Sequence, residues 1–185
     1  MLAEKLDRRS QKTRSALHAA FVELVLDQGY DALKIGSVAE RANVGRSTFY
    51  EHYRTKQDLL KASISQPFSI LADLALPALP VGGVEDLLQH FRQNQQVARV
   101  LLGSPTRPLL ANTLAGLIAA RLAQAPVLRP LAPLELIARQ IADSQLALVE
   151  SWVIGRPACS IEAATAALIQ GTRALASALA GLAAD

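Results

Sequence analysis

Residues 35–53 decide the fold of this chain and read IGSVAERANVGRSTFYEHY. Their first half predicts a short helix, because one face carries only apolar residues: Ile35, Val38, Ala39 and Ala42. Asn43 tolerates the left-handed backbone of a tight turn, and a further helix is predicted over 46–53. Small Ala39 lies where two helices would cross, and Val44 fills the space beneath the turn. The segment therefore has the pattern of a helix-turn-helix.

Helical patterns continue on both sides of this segment. A first helix is predicted over 9–28, and Gly29 supplies the left-handed residue that ends many helices. Thr55, with Asp58 three residues later, predicts a capping box at the start of a fourth helix. Pro67 lies inside that helix, so a kink or a break is expected near residue 66 before the helix resumes to about residue 76.

The rest of the chain predicts five further helices, over about 84–94, 97–102, from the cluster of Gly103, Pro105 and Pro108 to about 124, over 133–154, and to about 182 after Ser160, which is predicted to cap the last one. Prolines mark most of the breaks between them: Pro77, Pro80, Pro105, Pro126 and Pro157. No segment alternates with a period of two over the length of a strand. The predicted fold class is all-α, with about nine helices.

Charge is distributed unevenly along the 185 residues. Up to residue 62 there are eleven basic and eight acidic residues, whereas eight of each follow. A polyanionic partner is therefore expected to bind the first third. The N-terminus is charged and no apolar run reaches the length of a membrane span, so we expect a cytoplasmic protein without membrane contact.

Catalytic and metal sites are not expected. Cys159 is the single cysteine, which excludes an intrachain disulfide and a cysteine-based metal site. The histidines, His18, His52 and His90, lack metal-ligand spacing, and no nucleophile elbow or phosphate loop is present. The sequence therefore argues against an enzyme.

A helix-turn-helix places its second helix in the major groove of DNA, with N-terminal side chains at base edges. Here that helix starts at Arg46, whose guanidinium can donate a bidentate pair to guanine. Ser47 and Thr48 can reach bases or phosphates, and Tyr50, His52 and Lys56 lie where they can meet phosphates. Replacement of Arg46 by alanine is expected mainly to relax base preference.

Residues 13–60 closely resemble the DNA-binding domain of the TetR family, in many positions at fixed offsets: Ala19, Ala20, Gly29, Tyr30, Val38, Ala39, Val44, Thr48, Phe49, Tyr50, His52, Tyr53, Lys56, Leu59 and Leu60. The resemblance implies that Tyr50, His52 and Lys56 bind phosphate and that Thr48 touches the backbone. It also implies that Arg46, Ser47 and Tyr50 approach bases.

Two positions depart from the family pattern. Lys34 stands where a capping Thr or Ser is usual, and Gly36 stands where a phosphate-binding basic side chain is common. The second helix is therefore expected to start less firmly, and Lys34 is expected to supply the missing charge.

The resemblance implies a three-helix DNA-binding head over 1–55 and a helical ligand-binding and dimerisation domain over 56–185. The eighth and ninth helices would pair with their copies in a homodimer; the alternative is that they bury their apolar faces within one chain. Candidate ligand contacts are polar groups on apolar helices and nearby aromatic residues: Phe68, His90, Phe91, Asn94, Asn112, Asp143, Ser144 and Trp152.

These features predict a repressor that a small apolar or amphipathic molecule releases from a double-stranded DNA operator, without a cofactor. The alternative is a helical small-molecule-binding or adaptor protein whose DNA-binding head is vestigial.

Overall fold

The computed structural model describes residues 2–76, 79, 82–103, 106–125, 128–155 and 158–182. These residues form α-helices and no strand: α1 (Leu2–Ala32), α2 (Ile35–Arg41), α3 (Arg46–His52), α4 (Lys56–Asp73), α5 (Val84–Gln93), α6 (Gln95–Leu102), α7 (Arg107–Leu122), α8 (Leu134–Ile154) and α9 (Ile161–Ala180). The predicted all-α fold is confirmed. The expected breaks at Pro77, Pro80, Pro105, Pro126 and Pro157 lie outside the described residues. Within the described ranges, every helix is too short or too polar to cross a membrane.

The chain divides into two compact units, Met1–Ile64 and Ser65–Asp185. The division falls inside α4, so that helix contributes residues to both units. The functional boundary after residue 55 stays a prediction.

Unit 1 contains the three helices of the head and the start of α4. Its core is formed by fully buried side chains from successive helices: Leu17, Phe21, Val25, Val38 and Phe49. Helix α1 begins at Leu2, earlier than the predicted start at residue 9. The apolar periodicity could not reveal residues 2–8, because this segment is rich in charged residues, which favour helix without an apolar pattern. Gly29 interrupts the helical backbone with φ +78°, as its position predicted.

Local capping signals are confirmed in the structure. The Thr55 amide donates to Asp58 Oδ2 at 3.0 Å and the Asp58 amide donates to Thr55 Oγ1 at 3.1 Å. Ser160 Oγ accepts from the Ala163 amide at 3.2 Å, and Asn43 takes the left-handed conformation with φ +53°. Lys34 precedes α2 without a side-chain capping bond, and the weaker start of that helix stays a prediction.

Helix α4 continues through Pro67 to Asp73, so of the kink or break expected near residue 66 the break does not occur. Proline removes one backbone donor from the helix. Burial of Ile64, Phe68 and Leu71 on either side of it favours the helical path, because leaving the helix would withdraw these side chains from the core.

Unit 2 is a helical bundle in which α8 packs between α7 and α9. The segment before α8 also pairs with the end of α9, where the Arg129 amide donates to Ala180 O at 3.0 Å and the Leu131 amide donates to Leu179 O at 2.9 Å. A Cβ atom at Gly181 would lie 2.6 Å from Arg129 O, and φ there is +68°. Glycine is therefore required for this close approach.

Candidate nucleic-acid interface

Helix α3 buries one face and exposes the other. The Phe49 side chain is 0% exposed, whereas the neighbouring Tyr50 is 51% exposed. The two rings meet edge to face with centroids 5.7 Å apart. Arg46 and Ser47 are exposed on the same helix, and Thr48 and His52 are partly exposed. The structure thus places the predicted DNA contacts of α3 on its accessible side, around a side chain that anchors the helix in the core.

The Arg46 guanidinium extends back over α2. A Cβ atom built at Gly36 would lie 3.9 Å from both Cζ and Nε of Arg46. Arg46 forms no hydrogen bond or ion pair within the described ranges, and the same holds for exposed Lys34. Both charges are therefore available to a partner outside the chain.

Lys56, predicted from the resemblance to bind phosphate, is engaged inside unit 1. Its Nζ donates to the carbonyl oxygens of Tyr30 and Asp31, each at 3.0 Å, and to that of Leu33 at 3.3 Å. These carbonyls follow the break at Gly29, at the end of α1, where the last carbonyls of a helix lack the amide donors of a further turn; the Tyr30 carbonyl also accepts from the Leu33 amide at 3.3 Å. Lys56 thus ties the start of α4 to the end of α1, and its phosphate contact stays a prediction. Gly29 in the sequence indicates that a helix ends there and leaves carbonyls to be satisfied, but it does not indicate that Lys56 is the cation that meets them.

Arg41 is likewise engaged within unit 1. Its Nη1 lies 2.9 Å from Glu23 Oε2 and 3.6 Å from Asp27 Oδ2, which joins α2 to α1. The hydrogen bond to Glu23 raises the pKa of Arg41 above its usual value. The basic charge of the first third is therefore divided between cations that hold the head together and cations that remain available.

The candidate ligand contacts do not share one environment in unit 2. Only Phe68 is buried; three are partly exposed, namely Phe91, Asp143 and Trp152; and four are exposed, namely His90, Asn94, Asn112 and Ser144.

Several of these groups already have partners. Asp143 accepts from Arg107 at 3.2 Å and from Arg139 at 2.6 Å, and Asn112 accepts from Arg139 at 2.7 Å. Trp152 Nε1 donates to the Cys159 carbonyl at 3.3 Å. These residues thus belong to polar links between neighbouring helices, and their ligand contacts stay predictions.

Gln145, which the sequence reasoning did not select, is the most deeply buried amide of unit 2 in the described ranges, with 2% exposure. Its Nε2 donates to Leu71 O of α4 at 2.9 Å and to Thr172 Oγ1 of α9 at 3.0 Å. Its Oε1 is buried without a hydrogen-bond partner in the described part of the chain. The signal was available, because Gln145 lies four residues from both Ile141 and Val149 on the apolar face of α8.

Comparison with known proteins places the head in a family. Residues 17–63 match the model of the bacterial regulatory proteins of the tetR family. Two uncharacterised HTH-type transcriptional regulators of Bacillus subtilis (strain 168) are similar in sequence. YxbF is 34% identical over 71 residues, 38% of this chain and 19% of that protein. YdeS is 32% identical over 83 residues, 44% of this chain and 40% of that protein. The alignments therefore span less than half of either relative.

A solved structure extends the similarity beyond the head. The TetR transcriptional regulator from Streptococcus agalactiae 2603V is 26% identical, with a TM-score of 0.57, and the alignment covers 92% of this chain and 98% of that one. The similarity thus includes the helical bundle as well as the helix-turn-helix. The matched family model describes bacterial regulatory proteins, and the similar proteins are described as transcriptional regulators. From the matched head, the shared fold and the exposed face of α3, we conclude that residues 17–63 form a head of the tetR family type, in a chain with the fold of a TetR transcriptional regulator.

Proposed function

We propose that this protein is a cytoplasmic, ligand-responsive repressor that leaves its DNA operator when a small molecule binds. The observation that carries the proposal is the accessible face of α3, where Arg46, Ser47 and Tyr50 surround buried Phe49. A short helix with a fixed inner side and polar N-terminal side chains fits the major groove. Ser47 and Tyr50 can reach base edges, while Thr48 and His52 can donate to backbone oxygens.

A homodimer would double this contact. The outward side of α8 carries Leu136, Gln140, Ser144, Ala147, Ser151 and Ile154, and that of α9 carries Ala163, Ala167, Gln170, Gly171, Ala174 and Ala178. Small side chains let helix axes approach closely. Leu136 is 61% exposed and Ile154 is 46% exposed, so two large apolar side chains on α8 lack cover in the single chain. Pairing of these faces in a four-helix interface would bury them. Two copies of α3 would then stand roughly 34 to 36 Å apart, one duplex turn, over a near-palindromic operator.

Gln145 supports a small-molecule effector of defined chemistry. Its unpaired Oε1 is an acceptor among apolar side chains, and a buried acceptor without a donor is costly. A small apolar or amphipathic molecule with a hydroxyl or amine donor would satisfy it.

The same amide provides a route from ligand to DNA. Gln145 Nε2 holds Leu71 O near the end of α4, and α4 begins at Lys56 in unit 1. A ligand that reorients this amide would change the bond to α4. Ligand and DNA would then oppose each other by the same coupling free energy in both directions.

The DNA proposal is tested by fluorescence anisotropy with a duplex from the region upstream of the protein's own gene. A random duplex of equal length is measured at the same stated salt concentration. Tight binding to the first duplex is expected, with weaker binding to the second. Tyr50→Ala should lower the affinity for the first duplex by about tenfold or more. Leu26→Ala, which truncates an exposed side chain of α1, should not.

Failure to bind any duplex, including those selected from a randomised library, would favour the alternative of a small-molecule-binding or adaptor protein with a vestigial head.

A further inference from the structure

Arg46 occupies space that a side chain at residue 36 would otherwise take. Both Cζ and Nε of Arg46 lie 3.9 Å from the position of a Cβ atom on Gly36. That distance is ordinary van der Waals contact, so an alanine would fit. A longer side chain at 36 would have to share the space with the guanidinium.

This geometry moves the charge of Arg46 away from the tip of α3. Gly36 is the second residue of α2, which is the first helix of the helix-turn-helix. In that motif the first helix crosses the DNA backbone, while the second enters the major groove. A guanidinium beside the first turn of α2 therefore lies where phosphates pass.

The surroundings leave this guanidinium free to bind an anion. Arg46 is exposed and has no acidic partner within the described ranges, whereas Arg41 is paired with Glu23 and Asp27. Lys34, two residues before Gly36, is a second exposed cation without a partner in the described residues.

We propose that Arg46 contacts a phosphate of the duplex backbone beside the first turn of α2, and that the missing side chain at Gly36 permits this contact. The inference rests on the proposed DNA-binding function. It assigns Arg46 to positioning of the duplex, in place of the guanine contact expected from its sequence position. Residues 36 and 46 would thus share one space beside α2, and that space holds a single cation that faces the DNA backbone.

The test uses the full-length protein and duplexes that it selects from a library with a randomised core. Arg46→Ala should lower affinity roughly tenfold at 0.1 M salt, equally on a selected duplex and on its shuffled version, because one phosphate contact is lost. The slope of log affinity against log salt should become shallower by about one. Arg46→Lys keeps the charge and should retain most of the affinity and slope.

A charge swap tests the shared space. Arg46→Ala combined with Gly36→Arg should recover most of the lost affinity and the salt slope. Gly36→Arg alone should gain much less than the swap recovers, because two guanidinium groups would compete for one position.

The outcomes separate this inference from the function on which it rests. If Arg46→Ala selects a different base sequence and leaves the salt slope unchanged, Arg46 reads bases and the inference is overturned. If Gly36→Arg raises the affinity for DNA by the same factor in the unmodified protein and in the Arg46→Ala variant, the two side chains do not share one position. That result would also overturn the inference. Failure of the unmodified protein to select any duplex would instead overturn the proposed function.

Discussion

The ammonium group of Lys56 lies 4.7 Å from the centre of the Tyr30 ring and donates to the carbonyl oxygen of the same residue at 3.0 Å. Two further carbonyls, of Asp31 and Leu33, accept from the same nitrogen. One side chain from the first turn of α4 thus completes the irregular end of α1 that Gly29 creates. The helix-turn-helix lies between Gly29 and Lys56 in the sequence. The bonds of Lys56 therefore join the two ends of the segment that contains it.

Replacement of Lys56 by methionine should destabilise unit 1. The substitution keeps an apolar stem but removes a charged donor from carbonyls at a partly buried position, which costs about 1.5 to 3 kcal/mol. Urea denaturation followed by circular dichroism measures the change. Lys61→Met is the matched control, since Lys61 is exposed on the same helix and its loss should stay within about 0.5 kcal/mol. Equal stability of the two variants would contradict the structural role of Lys56.

Tyr30→Phe should change the response of stability to alkaline pH. Burial, with a smaller effect of Asp31, raises the pKa of Tyr30 above its ordinary value of 10.0. The folded chain then keeps a proton that the unfolded chain releases, so stability is full below pH 10 and falls as the pH rises through the pKa of the folded state.

The phenylalanine variant should lose less stability than the unmodified protein between pH values of about 9 and 11. At neutral pH it should be as stable or slightly more stable, because the Tyr30 hydroxyl is buried without a hydrogen-bond partner in the described residues. Parallel urea curves at each pH check both points. A steeper alkaline loss in the variant would refute the burial argument.

The elements of the fold were largely predictable from local chemistry. Apolar spacing located the helices, and the capping pairs at Thr55 and Ser160 marked two of their starts. Pro67 left a kink or a break open, because a local pattern shows the lost donor but not the burial of Phe68 and Leu71 beside it. The charged residues 2–8 at the start of α1 could not be found by apolar periodicity at all.

The exposed residues of α3 were easier to predict than the interior of unit 2. Position on α3 alone fixes which side chains face outward once Phe49 is placed inside. The roles of Lys56 and Gln145 depend instead on carbonyls of residues that are distant in sequence, Tyr30 and Leu71. Which polar groups meet across helices is decided by packing, and a linear pattern does not encode it.

Ala147→Glu should separate a dimer into single chains. Ala147 lies in the middle of the exposed stripe on α8, and a carboxylate there would be buried near its own copy in a two-fold interface. Light scattering after size exclusion should give twice the chain mass of 19.7 kDa for the unmodified protein and one chain mass for the variant.

Ala120→Glu, on an exposed position of α7, should leave the dimer intact. A dimer that survives Ala147→Glu and a similar change at Ala174 would exclude these faces as the interface.

Gln145→Met should both destabilise unit 2 and weaken the link from effector to DNA. The substitution removes the donor of Leu71 O, which stays buried near the end of α4, and costs about 1 to 3 kcal/mol. Thr172→Val is the matched variant, because it removes only one acceptor of the same amide and leaves the bond to Leu71 in place. Its cost should be smaller, about 1 kcal/mol. With any molecule found to release the unmodified protein from DNA, Gln145→Met should need a higher concentration for half release, while Thr172→Val should respond nearly as the parent does. If release is unaltered in Gln145→Met while its stability falls as expected, the amide supports the bundle without sensing a ligand.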